Sequence, residues 1–449
     1  MTSAVTTDTS ARPGYGQLLR TPGALGFLLP GFAARLPFGM LTISILLLVQ
    51  HTTGSYANAG IVAAVTGISM ALCAPVMGNL TDKHGQSAVL LPVVLVHATA
   101  VSALAALALL GAPVLALAAA AIPAGASVPQ VGPMVRARWA ATLGGNAAQA
   151  EGSRGSSPLL ATAAAFESVT DEFTFVVGPV LATALCTGLH PSAGLITEAA
   201  LSLIGGLLFA ARRAGQPKAH AQTATGTKRA AALSFPGLRV LIVAFLGIGA
   251  VFGGMQVSMA AFSNEMGDPG ANGLLYGVFA AGNMIAGIVC GAVAWKIGPR
   301  RRLLLGYIGL TAAASLLWTA DSMVLLAGLG LLVGLCIAPA LITGYTMIES
   351  LIPANARTEA FTWLTGAVAF GQAIAVIVAG RLTDAHGSAY GFLVPAAATA
   401  LALVTLLSLR AKLAPKAASR VVGSSGVPEN REARESHENR VQQRDLSTV

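Results

Sequence analysis

Residues 166–179 read FESVTDEFTFVVGP and place three carboxylates, Glu167, Asp171 and Glu172, inside an apolar run that extends over 159–186. A helix needs about 20 apolar residues to cross the ~30 Å hydrocarbon core of a bilayer. An ionised side chain at the centre of such a helix costs roughly 2.5–3.5 kcal/mol, so these residues usually face a bundle interior or a water-filled path. The stretch therefore predicts a membrane helix whose acidic side chains face other helices.

The composition of the whole chain indicates a polytopic membrane protein. Of its 449 residues, 55% are hydrophobic and only 10% are charged, whereas a soluble protein carries about 25% charged residues. The mean hydropathy is +0.72. The net charge of +9 does not indicate a nucleic-acid partner, because the basic residues are concentrated in short loops between apolar runs. The lipid bilayer is the expected environment.

Twelve apolar runs are long enough to cross a membrane. They lie at 24–49, 57–79, 88–110, 113–135, 159–186, 193–211, 238–262, 272–295, 303–319, 323–348, 359–382 and 388–410. The loops after even-numbered runs carry most of the Lys and Arg residues, among them Arg136 and Arg138. By the positive-inside rule, this pattern predicts a multi-pass protein of the inner or plasma membrane with both termini in the cytoplasm.

The longest connection between runs divides the predicted helices into two sets of six. The predicted organisation is a cytoplasmic N-terminal segment 1–23, a six-helix bundle 24–211, a central cytoplasmic loop 212–237, a second six-helix bundle 238–410 and a cytoplasmic tail 411–449. The tail is polar and poor in aromatic residues, so we expect it to be disordered.

The two halves also repeat weakly in sequence. The matching pieces are Gly39-Met40 with Gly254-Met255, Ala57-Asn58-Ala59-Gly60 with Ala271-Asn272-Gly273, and Gly78…Gly85 with Gly291…Gly298. All three occur in the same order at a nearly constant offset. Such repeats at a fixed period indicate an internally duplicated architecture.

The loop between the second and third runs carries a family signature. Residues 78–87 read GNLTDKHGQS, which resembles the Gly-x-x-x-Asp-x-x-Gly-Arg-Arg motif of the major facilitator superfamily. Residues 291–302, GAVAWKIGPRRR, occupy the corresponding place in the second half. In that family the loop locks the halves together on the cytoplasmic side. The resemblance therefore implies a cytoplasmic gate at Gly78, Asp82, Gly85, Gly291, Gly298, Arg300 and Arg301.

A third stretch, residues 380–387, reads GRLTDAHG and matches the first copy even more closely. By the helix count it lies outside the cell. We therefore do not assign it the gating role.

The acidic residues of the fifth run occupy two directions. Glu167, Asp171, Thr174 and Gly178 are spaced i, i+4, i+7 and i+11, so they share one helix face. Glu172 points about 100° away from Asp171 and is expected to meet a different neighbour.

Arg35 is the basic residue that lies deep in the first run, at about the same depth as Asp171 when helices rise ~1.5 Å per residue. We expect Arg35 to pair with Asp171 or Glu172. Two interpretations stay open: a structural ion pair that holds two helices in register, or a proton-coupling and substrate site.

Gly178-Pro179 resembles the Gly-Pro core of the antiporter motif on the fifth helix of proton-driven drug exporters in the superfamily. The flanking glycines of that motif correspond to Thr174, Ala182 and Thr183 here, and its arginine on the fourth helix has no counterpart within Pro129–Pro133. Pro179 could equally kink a helix, as proline often does in membranes.

Further polar residues are candidates for a central cavity. They are Gln130, Gln256, Asn283, Tyr345 and Gln372, together with the aromatic residues Phe175, Phe279 and Trp363. Two other polar residues in helices are given minor roles: Glu198 is expected at the outer rim, and His97 is expected to be a packing residue.

The resemblance implies an all-α membrane protein with two six-helix bundles and a central site that opens alternately to either side. The expected function is proton-coupled export of a small amphipathic molecule by a monomer, with Glu167, Asp171 and Glu172 coupling protons and the proton gradient as the energy source. The alternative is a uniporter or proton symporter of a small metabolite, a sugar or organic acid, in which the acids are structural.

Other function classes lack their motifs in this sequence. There is no phosphate-binding loop, no zinc-hydrolase motif and no nucleophile elbow, so we expect neither ATP hydrolysis nor another enzymatic activity. The His and Cys residues lack ligand spacing, so neither a metal nor an organic cofactor is expected.

Overall fold

The computed structural model of the protein describes residues 15–149, 158–212, 215–217, 232–293, 295–353 and 356–413. The tail predicted to be disordered falls outside these ranges, apart from its first residues, which belong to a 3-10 turn at Arg410–Leu413. The described part of the N-terminal segment contains a short helix, Tyr15–Leu19, in which Leu18 is buried.

The described residues form twelve helices that are long and apolar enough to span a membrane, and each overlaps one predicted run. They are α1 (Ala24–Thr53), α2 (Tyr56–His84), α3 (Gln86–Leu109), α4 (Val114–Leu143), α5 (Leu159–Gly188), α6 (Ala193–Ala211), α7 (Pro236–Glu265), α8 (Ala271–Ala292), α9 (Pro299–Thr319), α10 (Met323–Leu351), α11 (Glu359–His386) and α12 (Ser388–Ser408). The predicted all-α membrane fold is thus confirmed.

Local sequence explains where α2 begins and ends. The Ser55 side chain accepts a hydrogen bond from the Asn58 amide at 3.1 Å and so caps the start of α2. Gly85 separates α2 from α3 with a φ of 87°, a conformation that is strained for residues with a side chain. Gly85 therefore forms the tight turn between these two helices.

The fourth span departs from its prediction. It consists of two helices, Val114–Ala126 and Val131–Gln149, separated at Pro129, which has no backbone N–H to continue a helix. We placed Arg136 and Arg138 in a loop, but both lie within the second helix. They tolerate this position because acidic and carbonyl oxygens of neighbouring helices accept their hydrogen bonds.

The two halves, α1–α6 and α7–α12, meet chiefly where α2 packs on α11 and α5 packs on α8. Both contacts depend on small residues that let backbones approach closely. A Cβ added at Gly60 would lie 2.6 Å from the Val376 carbonyl oxygen, and one added at Gly273 would lie 2.9 Å from the Cα of Val180. The repeated segments that begin at Ala57 and Ala271 therefore lie at equivalent places, each at the start of a helix that packs against the other half.

Gly178 has a packing role within the first half. A Cβ on it would lie 2.8 Å from the Cα of Gly39 on α1. The close approach of α1 and α5 at this pair brings the polar residues one and two turns away, Arg35 and Asp171, within reach of each other.

Candidate functional site

Arg35 of α1 binds two carboxylates on the shared face of α5. Its Nη1 donates to Asp171 Oδ1 at 3.1 Å, and its Nη2 donates to Glu167 Oε2. Arg35 is 6% exposed and Glu167 1% exposed, so water does not screen this interaction. Asp171 was one of the two partners expected for Arg35, and Arg35 contacts it. The second carboxylate that Arg35 contacts is Glu167 and not Glu172.

The second helix of α4 completes this arrangement. Arg136 Nη2 donates to Asp171 Oδ2 at 2.6 Å, and Trp139 Nε1 donates to Glu167 Oε1 at 2.8 Å. All four carboxylate oxygens of Glu167 and Asp171 therefore accept hydrogen bonds. We call Arg35, Arg136, Glu167 and Asp171 the four-charge cluster; its formal charges sum to zero.

Sequence reasoning missed the contribution of α4 to this cluster. Arg136 and Trp139 are three residues apart, so they share a helix face, but this signal is visible only once α4 is extended beyond residue 135. The absence of an arginine at Pro129–Pro133 therefore does not mean that α4 lacks an arginine facing α5.

Glu172 has a different environment, as its direction on α5 predicted. Its Oε2 accepts a hydrogen bond from Asn283 Nδ2 of α8 at 3.2 Å, so the bond joins the two halves. None of the four ion pairs found among the described residues includes Glu172. Glu172 is thus an acid without a basic partner in the described part of the chain.

A cavity of about 340 Å³ lies between the halves at the level of Glu172. Helices α1, α2 and α5 line it from one half, and α7, α8, α10 and α11 line it from the other. Of the residues predicted for a cavity, the lining includes Glu172, Gln256, Asn283, Gln372, Phe175 and Phe279, and it also includes Pro179 of the Gly-Pro pair.

Other predicted cavity residues lie elsewhere. Gln130 donates its amide to the Val128 carbonyl oxygen at 3.2 Å, within the interruption of α4. The Tyr345 ring packs edge-on against Phe245. Arg35, Glu167 and Asp171 belong to the four-charge cluster and not to the cavity wall. A helix that touches several neighbours directs its polar residues into different spaces, and the sequence alone does not separate them.

Among the described residues that line the cavity, Glu172 is the one that is charged. The wall also contains two side-chain oxygens, Gln256 Oε1 and Asn283 Oδ1, that are buried and accept no hydrogen bond from the described residues. The remaining surface is largely apolar and includes the aromatic residues Phe38, Phe175, Phe252, Tyr276 and Phe279. This combination of an apolar wall with a few polar groups is typical of small-molecule sites.

The bundle has two ends that differ in charge. We call the end at which α2 turns into α3 the basic end, because the Lys- and Arg-rich loops lie there, and the opposite end the acidic end. At the acidic end, Asp384 of α11 accepts hydrogen bonds from the first turn of α2: from Ser55 Oγ at 2.7 Å, Tyr56 N at 2.8 Å and Ala57 N at 2.9 Å. We call this contact the Asp384 clasp.

The chemistry of the Asp384 clasp is that of a helix cap supplied by another helix. The first N–H groups of a helix have no partner within it, and they carry a partial positive charge that attracts carboxylates. The stretch at 380–387, which we excluded from gating because of its side, therefore does connect the two halves, at the acidic end.

Among the described residues, those of the expected cytoplasmic gate make no contact between the halves comparable to the Asp384 clasp. A Cβ added at Gly78, Gly291 or Gly298 would meet no atom within 4 Å, and Asp82 is exposed. Arg300 and Arg301 lie in the first turn of α9. The packing of the halves is therefore concentrated at the acidic end.

A second buried pair of titratable groups lies inside the first half. Glu198 Oε1 lies 2.8 Å from His97 Nε2, and His97 Nδ1 lies 3.0 Å from the Ala124 carbonyl oxygen. Glu198 is 1% exposed, so its expected place at the rim is wrong; the histidine partner on α3 allows the acid to be buried. His97 is buried with both ring nitrogens partnered, as expected for a packing residue.

The chain is similar to known proteins in both sequence and structure. The sequence model described as Major Facilitator Superfamily matches residues 27–318 and 257–436. A comparison with curated protein sequences gave no match.

The fold is similar to solved transporter structures. A mutant form of the nucleoside transporter NupG has a TM-score of 0.71 at 13% identity, with 86% of this chain and 99% of that chain covered. A bacterial homologue of the iron transporter ferroportin, in an inward-facing state, has a TM-score of 0.64 at 19% identity, with 86% and 98% covered. A bacterial metal transporter has a TM-score of 0.61 at 18% identity, with 88% and 99% covered.

At these identities the structural likeness shows the fold alone, whereas the sequence model covers more than half of the chain. Twelve spans in two halves, a cavity between them and the signature loop after α2 agree with that match. The chain belongs to the major facilitator superfamily.

Proposed function

We propose that this membrane transporter exchanges protons for a small amphipathic molecule and moves that molecule out of the cell. The observation that carries the proposal is the position of Glu172, an acid without a basic partner in the wall of the cavity between the halves. A substrate in this cavity touches both halves, as alternating access requires.

Glu172 is a better coupling residue than the other two acids of α5. All four carboxylate oxygens of Glu167 and Asp171 accept hydrogen bonds, three from arginines of the neutral four-charge cluster and one from Trp139. A proton on either acid would therefore disrupt an ion pair. A proton on Glu172 would disrupt none. Our proposal therefore narrows the expected coupling role from three acids to Glu172 and gives the cluster a structural role.

Competition at Glu172 would couple the two fluxes. Removal of a carboxyl group from water favours its protonated form, and a bound positive charge favours its ionised form. A substrate that binds the ionised form displaces the proton, and a proton that returns displaces the substrate. Because Asn283 of the other half holds Glu172, a change of charge there also alters a contact between the halves.

The contacts at the two ends support one state of the transport cycle. Helices of the two halves pack closely at the acidic end, whereas the described signature-loop residues Gly78, Gly291 and Gly298 are open at the basic end. With the basic end in the cytoplasm, this state is inward-facing. We propose a monomer in the cell membrane with both termini cytoplasmic, and no cofactor beyond the proton gradient.

Reconstituted protein in liposomes tests the proposal. We would follow ethidium across the membrane with and without a pH gradient, for the wild-type protein and for Glu172→Gln. The wild-type protein should move the dye against its gradient at the expense of the pH gradient. Glu172→Gln should lose this dependence, whereas Glu359→Gln, an acid at the basic end of α11 whose side chain meets Trp363, should keep it.

Two results would contradict the proposal. If transport by the wild-type protein does not depend on the pH gradient, the protein is not proton-coupled and the uniporter alternative is favoured. If transport by Glu172→Gln still depends on the pH gradient, Glu172 is not the coupling residue.

A further inference from the structure

The cavity wall offers more hydrogen-bond acceptors than its own donors satisfy. Asn283 must direct its NH₂ group toward the Glu172 carboxylate, because the amide oxygen would be repelled there, and this leaves Asn283 Oδ1 without a donor. Gln256 Oε1 also has no donor among the described residues, and Gln256 is 4% exposed. Glu172 Oε1 accepts no hydrogen bond from the described residues.

Unpartnered oxygens in a buried site favour a ligand that brings N–H donors. A buried acceptor without a donor is unfavourable, and a ligand that supplies the donor removes this cost. An anion would bring further acceptors and a charge of the same sign as Glu172. A neutral ligand would leave the carboxylate without a counter-charge. The polar part of the wall therefore selects for a positively charged donor.

The apolar part of the wall constrains the body of the ligand. Phe175, Phe252 and Phe279 line the cavity from both halves, and aromatic faces attract ammonium groups as well as aromatic rings. The volume of about 340 Å³ lies near the lower limit of about 300–1,000 Å³ for ligand pockets. The space is sufficient for a compact bicyclic ring system with a short side arm.

We infer that the substrate is a compact aromatic monocation with N–H donors, such as a protonated primary amine, bound through Glu172, Gln256 and Asn283. This inference rests on the proposed function, since it identifies the class of molecule that competes with the proton. It excludes organic acids and sugars as substrates of this cavity.

Calorimetric titration of the purified protein in detergent tests the inference with three probes that share a naphthalene ring and are similar in size. They are 2-naphthylmethylammonium, 2-naphthylmethanol and 2-naphthoate, which carry charges of +1, 0 and −1. The ammonium should bind at least about tenfold more tightly than the alcohol, a difference of about 1.4 kcal/mol, and the carboxylate should bind more weakly than the alcohol.

Three variants locate the effect in the cavity. Glu172→Gln should weaken ammonium binding at least tenfold and change alcohol binding less than twofold. Gln256→Leu, which removes one acceptor and keeps similar bulk, should weaken ammonium binding about threefold. Tyr345→Phe, outside the cavity wall, should change neither. Partition of the probes into micelles is the same for all proteins and cancels in this comparison.

Any of three results would overturn the inference. They are equal affinity for the three probes, a loss of alcohol binding in Glu172→Gln as large as the loss of ammonium binding, and no binding of the ammonium to the wild-type protein. The binding assay needs no gradient, so its failure is distinct from failure of the proposed function. A wrong order of affinities leaves proton-driven transport intact, and transport that ignores the gradient leaves the order of affinities intact.

Discussion

Replacement of Asp384 by alanine should make the acidic end open more often. All three hydrogen bonds of the Asp384 clasp join the two halves, because Asp384 of α11 accepts them from the first turn of α2. They exist only while the halves touch at that end. Asp384→Ala therefore removes stabilisation from the closed state and leaves the open state unchanged.

The size of the effect follows from the kind of contact. Loss of a capping side chain at a helix start costs about 0.5–2 kcal/mol, and because Asp384 is exposed and partly screened by water we take about 1 kcal/mol. With a factor of ten for each 1.4 kcal/mol, the ratio of open to closed acidic ends should rise about fivefold.

Labelling of a cavity cysteine measures this ratio. Thr42 lines the cavity. With the acidic end outside the cell, as we propose, a membrane-impermeant maleimide reaches Thr42→Cys, in a protein whose four native cysteines are replaced, only when the acidic end opens. The labelling rate in intact cells should rise about fivefold in Asp384→Ala. The matched control is Glu265→Ala, which removes a carboxylate that caps Ser388 within the second half.

Glu265→Ala should leave the labelling rate unchanged, because Glu265 and Ser388 move together. An unchanged rate in Asp384→Ala, or an equal increase in Glu265→Ala, would refute the idea that the clasp holds the two halves together.

Two further predictions concern the cluster and the contact between halves. Arg35→Ala should lower the melting temperature of the purified protein far more than Arg136→Ala, because removal of one partner from a buried pair costs about 3–5 kcal/mol and the Arg136 side chain is 47% exposed; equal losses would contradict burial of the cluster. Gly60→Ala places a Cβ 2.6 Å from a carbonyl oxygen of α11 and should slow transport at least tenfold. Gly78→Ala places a Cβ with no atom within 4 Å and should leave both the melting temperature and the packing at Gly60 unchanged. A full transport rate in Gly60→Ala would contradict close packing of α2 on α11.

The twelve spans could be predicted because a membrane helix is a property of continuous sequence, namely enough consecutive apolar residues. The one large error arose where this property fails. Arg136 and Arg138 interrupt the apolar run of α4, and the partners that stabilise them, such as Asp171 and the carbonyl oxygen of Phe209, come from other helices.

The candidate site was predictable only as far as helix periodicity extends. The spacing of Glu167 and Asp171 placed both on one face, and the direction of Glu172 correctly implied another neighbour. Which polar residues reach the cavity depends on how the halves pack, so Gln256 and Gln130 looked equivalent in sequence although only Gln256 lines the cavity. For the same reason, the pairing of Glu198 with His97 could not be inferred from either helix alone.

The Asp384 clasp recognises main-chain amides. Two of its three donors are the peptide N–H groups of Tyr56 and Ala57, and these are present whatever side chains the first turn of α2 carries. Tyr56 also donates its hydroxyl to the Ala260 carbonyl oxygen of α7 at 3.3 Å, so its side chain takes part in the closure. Substitutions at Ala57 are compatible with closure as long as the helix begins at the same residue. Proline is the exception, since it lacks the N–H group. The closure at the acidic end thus constrains the backbone at both positions but only the side chain of Tyr56.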